Sequence, residues 1–77
     1  IYGSQVKVYP NPTSGFLKVE GDYTHLTLMN ANGVAVKAYE GLQDNIDLSD
    51  LPAGIYFLNI ENKNTGANEM QKVSIVK

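Results

Sequence analysis

Short runs of alternating apolar and polar residues recur along the 77-residue chain, separated by glycines and turn-forming residues. In the run "QVKVY" the two valines fall on one side of an extended chain and the lysine on the other, and "FLKVE" repeats this arrangement. No window shows a sustained 3.6-residue period, so no helix is expected. The pattern predicts a small all-β sandwich or barrel with strands at residues 5–9, 16–20, 26–29, 34–39, 45–48, 54–61 and 70–76.

Two turns carry specific signals. Asn32-Gly33 lies between the third and fourth predicted strands, and this dipeptide favours a type I′ hairpin turn, in which both residues have positive φ. The stretch "YPNPTSG", residues 9–15, holds two of the three prolines and lies between the first two strands. Proline restricts the residue before it and removes a backbone donor. We therefore expect a rigid turn, capped by side chains of Asn11, Thr13 and Ser14, with Gly15 at positive φ.

The sixth strand is apolar on both faces, with Ile55 and Phe57 on one side and Tyr56, Leu58 and Ile60 on the other. A sheet with one solvated face usually alternates apolar and polar residues. Either neighbouring side chains cover the outer face, or the face is an exposed apolar patch, shared with Phe16 and Met29, that meets a partner.

Composition narrows the class of protein. The length predicts a single domain, residues 1–77, in which residues 1–5 would be a linker. The net charge is −2 and all six basic residues are lysines, which argues against nucleic-acid binding. The absence of cysteine excludes disulfides and thiolate metal sites. The longest apolar run, "IYFL", is too short for a transmembrane helix.

The chain offers little catalytic chemistry. His25 is the only histidine, no serine stands in a G-x-S-x-G motif, and the aspartates match no calcium-loop spacing. We therefore expect no enzyme, no metal site and no cofactor. The five tyrosines could stack on sugars, so a carbohydrate-binding or adhesive β-sandwich attached to a secreted enzyme stays open, as does a structural spacer.

Four segments occur together in a distinctive order: "VYPNPTSGFLKVE", "LMNANGVAVKAYEG", "IDLSDLPAGIYFLNIEN" and "QKVSIVK". This order resembles the type A C-terminal sorting domain of type IX secretion substrates from Bacteroidetes. The likeness runs from Val6 to Lys77. The matching positions, which are our candidates for the signal, are Tyr9, Pro10, Asn11, Pro12, Gly15, Asn32, Gly33, Leu51, Pro52, Gly54, Tyr56, Lys72, Val73 and Lys77.

The resemblance implies an immunoglobulin-like antiparallel sandwich of about seven strands and a non-catalytic role. Such a domain directs an upstream cargo of the same chain from the periplasm through the outer-membrane type IX translocon, to the surface or the medium. In many members a sortase-like peptidase then removes the domain. An exposed edge strand would also allow weak pairing of two copies across a twofold axis.

Two surfaces are predicted to carry the signal. One is the proline-rich turn, expected near the junction with the cargo, and the other is the C-terminal strand with Lys72 and Lys77. Lysines on an edge strand also prevent aggregation, which is a competing explanation for the second surface.

Overall fold

The computed structural model describes residues 6–10, 12–43 and 45–77. These residues form seven strands and no helix, which confirms the predicted fold class. The second strand has its predicted bounds, and the others differ by a few residues at their ends. The predicted linker, residues 1–5, lies outside the described residues. The strands are β1 (Lys7–Tyr9), β2 (Phe16–Glu20), β3 (His25–Asn30), β4 (Ala35–Glu40), β5 (Ile46–Asp47), β6 (Gly54–Asn62) and β7 (Ala67–Ile75).

The strands form two antiparallel sheets, ordered β1-β2-β5 and β4-β3-β6-β7. An immunoglobulin-like sandwich likewise places its first, second and fifth strands in one sheet and its third, sixth and seventh in the other. Here β4 pairs with β3, so it extends the second sheet. None of the described residues belongs to a helix long and apolar enough to cross a membrane.

The core lies between the two sheets and follows the predicted alternation. On β2, Leu17 and Val19 are buried while Lys18 is exposed. On β7, Val73 and Ile75 are buried in the same way. The buried apolar residues are Val6, Leu17, Val19, Tyr23, Leu26, Leu28, Ile46, Leu48, Tyr56, Leu58, Ile60, Val73 and Ile75.

The β3–β4 hairpin is present, but the predicted turn type is wrong. Gly33 has φ 83°, whereas Asn32 does not have the positive φ that a type I′ turn requires. The Gly33 N–H donates to the Asn30 carbonyl at 2.9 Å, and the Asn30 side chain accepts from the Asn32 N–H. This side-chain cap favours a longer turn, and a bulge between Leu28 and Met29 absorbs the extra residue.

The outer face of β6 is only partly covered by neighbouring side chains. Phe57 is half-buried between its neighbours Met29 and Lys72, whereas Ile55 remains 39% exposed. Phe16 belongs to β2 in the other sheet, so its predicted place beside Met29 is wrong. The alternation of apolar residues fixes which side chains share a face of one strand, but not which strands become neighbours.

Candidate recognition surface

Segments that are far apart in sequence meet at one end of the sandwich. Along the second sheet, Asn30 lies opposite Tyr56, and Gly54 lies opposite Ile75. A one-residue parallel bridge pairs Thr13, from the β1–β2 turn, with Ile75. The strand ends of both sheets are therefore joined here, and we call residues 9–10, 12–16, 30–34, 47–56 and 73–77 the motif end.

Thr13 fastens the proline-rich turn to the C-terminal strand. Its N–H donates to the Ser74 carbonyl at 2.9 Å, and its carbonyl accepts from the Val76 N–H at 2.8 Å. Its hydroxyl is buried, donates to the Phe16 carbonyl and accepts from the Gly15 and Phe16 N–H groups. The hydroxyl holds the turn in the shape that lets its backbone bind the other sheet.

The prolines end the pairing of β1 with β2, which lets the chain cross to the opposite sheet at Thr13. Pro10 and Pro12 are exposed, and the Tyr9–Pro10 peptide bond is cis. The turn lies at the far end of β1 from Val6, about 10 Å along the strand. The junction with the cargo lies outside the described residues, so the predicted nearness of the turn to that junction stays a prediction.

The loop between β5 and β6 supplies the third part of the motif end. The Leu48 N–H donates to the Gly15 carbonyl at 2.7 Å, and Lys77 Nζ donates to the Ser49 carbonyl at 2.9 Å. Leu51 is half-buried and packs against the core. The loop thus contacts both the first turn and the last residue of the chain.

Gly15 does not have the positive φ that the sequence predicts. Thr13 and not Gly15 shapes the turn, because its hydroxyl accepts the two N–H groups that follow. A Cβ at Gly15 would lie 3.7 Å from the Ser49 Cβ, an ordinary contact distance. By contrast, Gly54 has φ 153°, a conformation that L residues rarely adopt.

Tyr56 forms a tyrosine corner. The side chain is buried at the start of β6, and its hydroxyl donates to the Pro52 carbonyl at 2.7 Å. Immunoglobulin-like sandwiches use such a bond at the same corner, between the fifth and sixth strands. The bond fixes the 52–55 turn against the core.

Replacing Tyr56 by phenylalanine is expected to lower the free energy of unfolding by about 1 kcal/mol, because one partly buried hydrogen bond is lost while the ring still fills its place. Urea denaturation measures the change. The control is Tyr9→Phe, because the Tyr9 hydroxyl bonds to Glu20 at an exposed site and its loss should cost less than about 0.5 kcal/mol. An equal loss in both variants would contradict the role given to the corner.

The electrostatics of this end are those of an exposed surface. Hydrogen bonds from the Ser49 side chain and N–H lower the pKa of Asp47 below its ordinary value. A hydrogen bond to the Glu20 carboxylate raises the pKa of the Tyr9 hydroxyl. Lys37 lies 3.2 Å from Asp50, and an exposed pair of this kind contributes about 0–1 kcal/mol. The end is therefore held together by backbone contacts more than by charge.

The predicted signal residues divide by exposure, and Asn11 lies outside the described residues. Tyr56 and Val73 are buried, so their side chains stabilise the fold and do not face a partner. Leu51 and Gly15 are half-buried. Lys72 lies on the outer face of the second sheet, opposite Phe57 and next to the motif end. The exposed members are Tyr9, Pro10, Pro12, Asn32, Gly33, Pro52, Gly54, Lys72 and Lys77.

The opposite end of the sandwich contains the single histidine. His25 Nε2 lies 3.3 Å from the Glu40 carboxylate, and Nδ1 lies 2.8 Å from the Thr24 hydroxyl. An open hollow of about 340 Å³ lies beside them and reaches Tyr39 and Glu61. Among the described residues, no three acidic or histidine side chains are grouped to hold a metal ion.

The architecture defines a class: a small immunoglobulin-like β-sandwich whose distinctive segments gather at one end and shape a surface. The chain belongs to the family of secretion system C-terminal sorting domains, whose family model matches residues 7–77. Comparison with curated proteins and with solved structures gave no match.

Membership gives the general role. Domains of this family are sorting signals of type IX secretion, a system of Bacteroidetes. They are recognised by the type IX machinery and send an attached cargo to the cell surface or the medium. The family is not known to be catalytic.

Thr13 and Ser49 hold segments of the motif end together, but neither is among the predicted signal residues. The sequence predicts for Thr13 only that its side chain caps its own turn. The sequence does place Thr13 between a proline and a glycine turn, but its bond to Ser74 spans 61 positions of the chain. No local pattern reports a contact over that distance.

Proposed function

We propose that this domain carries its cargo through the outer-membrane type IX translocon by presenting the motif end as one composite signal. The cargo waits in the periplasm until the translocon binds this end, and a sortase-like peptidase then separates domain and cargo at the surface. The domain itself catalyses no step.

The observation that carries the proposal is the bridge between Thr13 and the C-terminal strand. It unites two segments that were predicted as separate signals. The turn and the C-terminal strand are held within hydrogen-bond distance, so a receptor can read both in a single contact. A third segment, the β5–β6 loop, joins them through the Ser49 carbonyl, which accepts from Lys77.

Rigidity supports the same proposal. Backbone hydrogen bonds connect the three segments, and the prolines fix the exposed part of the turn. A preformed surface loses little conformational entropy on binding, so a modest contact area can still give a specific complex. Specific binding through a modest contact area suits a signal that must later be released.

The test is a fusion. Residues 1–77 are attached to the C-terminus of a fluorescent protein that already carries an N-terminal export signal, in a Bacteroidetes host. We expect fluorescence on the surface or in the medium in a strain with a working type IX system, and only in the periplasm of a translocon-deficient strain. The matched control is the same cargo without the domain.

The fusion also separates the two other interpretations. A folded fusion that stays in the periplasm of both strains would overturn the proposal. A glycan array would then show whether the domain is a carbohydrate-binding module, and a spacer domain would give neither export nor binding.

A further inference from the structure

The outer face of the β4-β3-β6-β7 sheet has a group of apolar side chains in one half of its length, bordered on β7 by Lys72 and Ser74. The strand register places Ala35, Met29 and Phe57 in one row, which Lys72 completes on β7. Ile55 follows on β6 in the direction of the motif end, and Met70, which is 56% exposed, borders the row on β7. An antiparallel sheet exposed to water usually has polar residues at such positions.

The other half of the same face is polar and acidic. His25, Glu40 and Glu61 form its last row, opposite one another on three neighbouring strands. The apolar side chains are therefore concentrated toward the motif end. Ile55 directly follows Gly54 and lies opposite Ser74, whose carbonyl accepts from Thr13. The apolar half of the face is continuous with the motif end.

We infer that this apolar half-face, formed by Met29, Ala35, Ile55, Phe57 and Met70, is a docking surface for a protein of the type IX machinery. The inference rests on the proposed function and extends its recognition surface from the end of the sandwich onto one side. The partner surface would be apolar, with a basic side chain at the border that meets Glu40 and Glu61.

Area decides between this partner and a second copy of the domain. Four strands spaced about 4.8 Å apart, over three rows of side chains, give a face on the order of 400 Å². A stable interface needs about 800 Å² from each partner. Two copies packed face to face would fall short, whereas a machinery protein can cover the half-face and the motif end together.

The experiment uses the fluorescent fusion with Met29→Thr and Ile55→Thr combined. Threonine suits a strand and removes apolar surface from partly exposed sites. We expect export to fall about tenfold or more, the change given by roughly 1.4 kcal/mol of binding. The matched control is Leu42→Thr, because Leu42 is 71% exposed beyond the other end of β4 and its variant should be exported like wild type.

Each result has a defined meaning. Export of the double variant at the wild-type level would overturn the docking surface while leaving the proposed function intact. A wild-type fusion that is not exported would overturn both the docking surface and the proposed function. Analytical ultracentrifugation provides the third arm: a wild-type dimer that the double variant abolishes would assign the face to a second copy and overturn the inference.

A second measurement removes dependence on the folding of the variant. A photo-crosslinking residue is placed at Ile55 in one fusion and at Leu42 in another. We expect a single cross-linked protein at Ile55 that disappears in the translocon-deficient strain, and none at Leu42. Equal cross-linking at the two positions would contradict the docking surface.

Discussion

Replacing Thr13 by valine is expected to lower the free energy of unfolding by about 2–3 kcal/mol. Valine has the same shape but no hydroxyl, so the Gly15 and Phe16 N–H groups and the Phe16 carbonyl lose their shared partner. Leaving one buried polar group unpaired costs about 1–3 kcal/mol. The three groups here are only partly buried, so we expect their combined cost to lie in the upper part of this range and not to be three times as large. Urea denaturation of the purified wild-type and Thr13→Val domains measures the difference in the free energy of unfolding.

The same variant should damage the signal more than its loss of stability explains. Once the turn relaxes, the backbone bonds from Thr13 to Ser74 and Val76 weaken, and the two halves of the motif end separate. Hydrogen exchange should show faster exchange of the Val76 N–H than of core N–H groups, and export of the fused cargo should fall.

Two controls isolate this effect. Thr65→Val makes the same change in an exposed loop, where the hydroxyl accepts from the Ala67 N–H, and should cost less than about 0.5 kcal/mol. Thr13→Ser keeps the hydroxyl and should restore most of the stability and export. If Thr13→Val unfolds no more easily than Thr65→Val and is exported normally, Thr13 does not organise the motif end.

Replacing Gly54 by alanine is expected to cost about 1–3 kcal/mol, although alanine is small. A Cβ at this position would meet no atom within 4 Å, so the cost is conformational: φ of 153° is a conformation that almost only glycine adopts. To relieve the strain, the start of β6 must move, and with it the pairing of Gly54 with Ile75.

Gly15→Ala is the matched control for this prediction. Gly15 lacks the positive φ, and its added Cβ would make an ordinary contact with Ser49, so stability should change by less than about 0.5 kcal/mol. Thermal and urea denaturation of both variants compare the two sites. Equal losses would show that the strain at Gly54 does not control this turn.

Much of the fold could be predicted from the sequence because its signals are local. The alternation in "FLKVE" fixes which side of β2 is buried, and Leu17 and Val19 are indeed core residues. The Asn32-Gly33 pair indicates a hairpin, and one forms there. The details of the turn escaped because the Asn30 side chain competes for its N–H groups, and this capping changes the turn type without changing the hairpin.

The candidate site was predicted less completely. The motifs lie in segments that the fold brings together, but Tyr56 and Val73 are buried and therefore stabilise the fold, and the motifs do not include Thr13. A sequence motif does not separate residues that build a surface from residues that a partner contacts. Only the burial of each side chain makes that distinction.

The sequence by itself determined the all-β class, the approximate strands and the family, because alternation, turn residues and motif order are all encoded within short stretches. Only the tertiary structure decided that Thr13 meets Ser74, that Lys77 meets Ser49, and that Phe16 and Met29 lie in different sheets. These contacts depend on how the two sheets are ordered and packed. That order results from the burial of the whole core and not from any one segment.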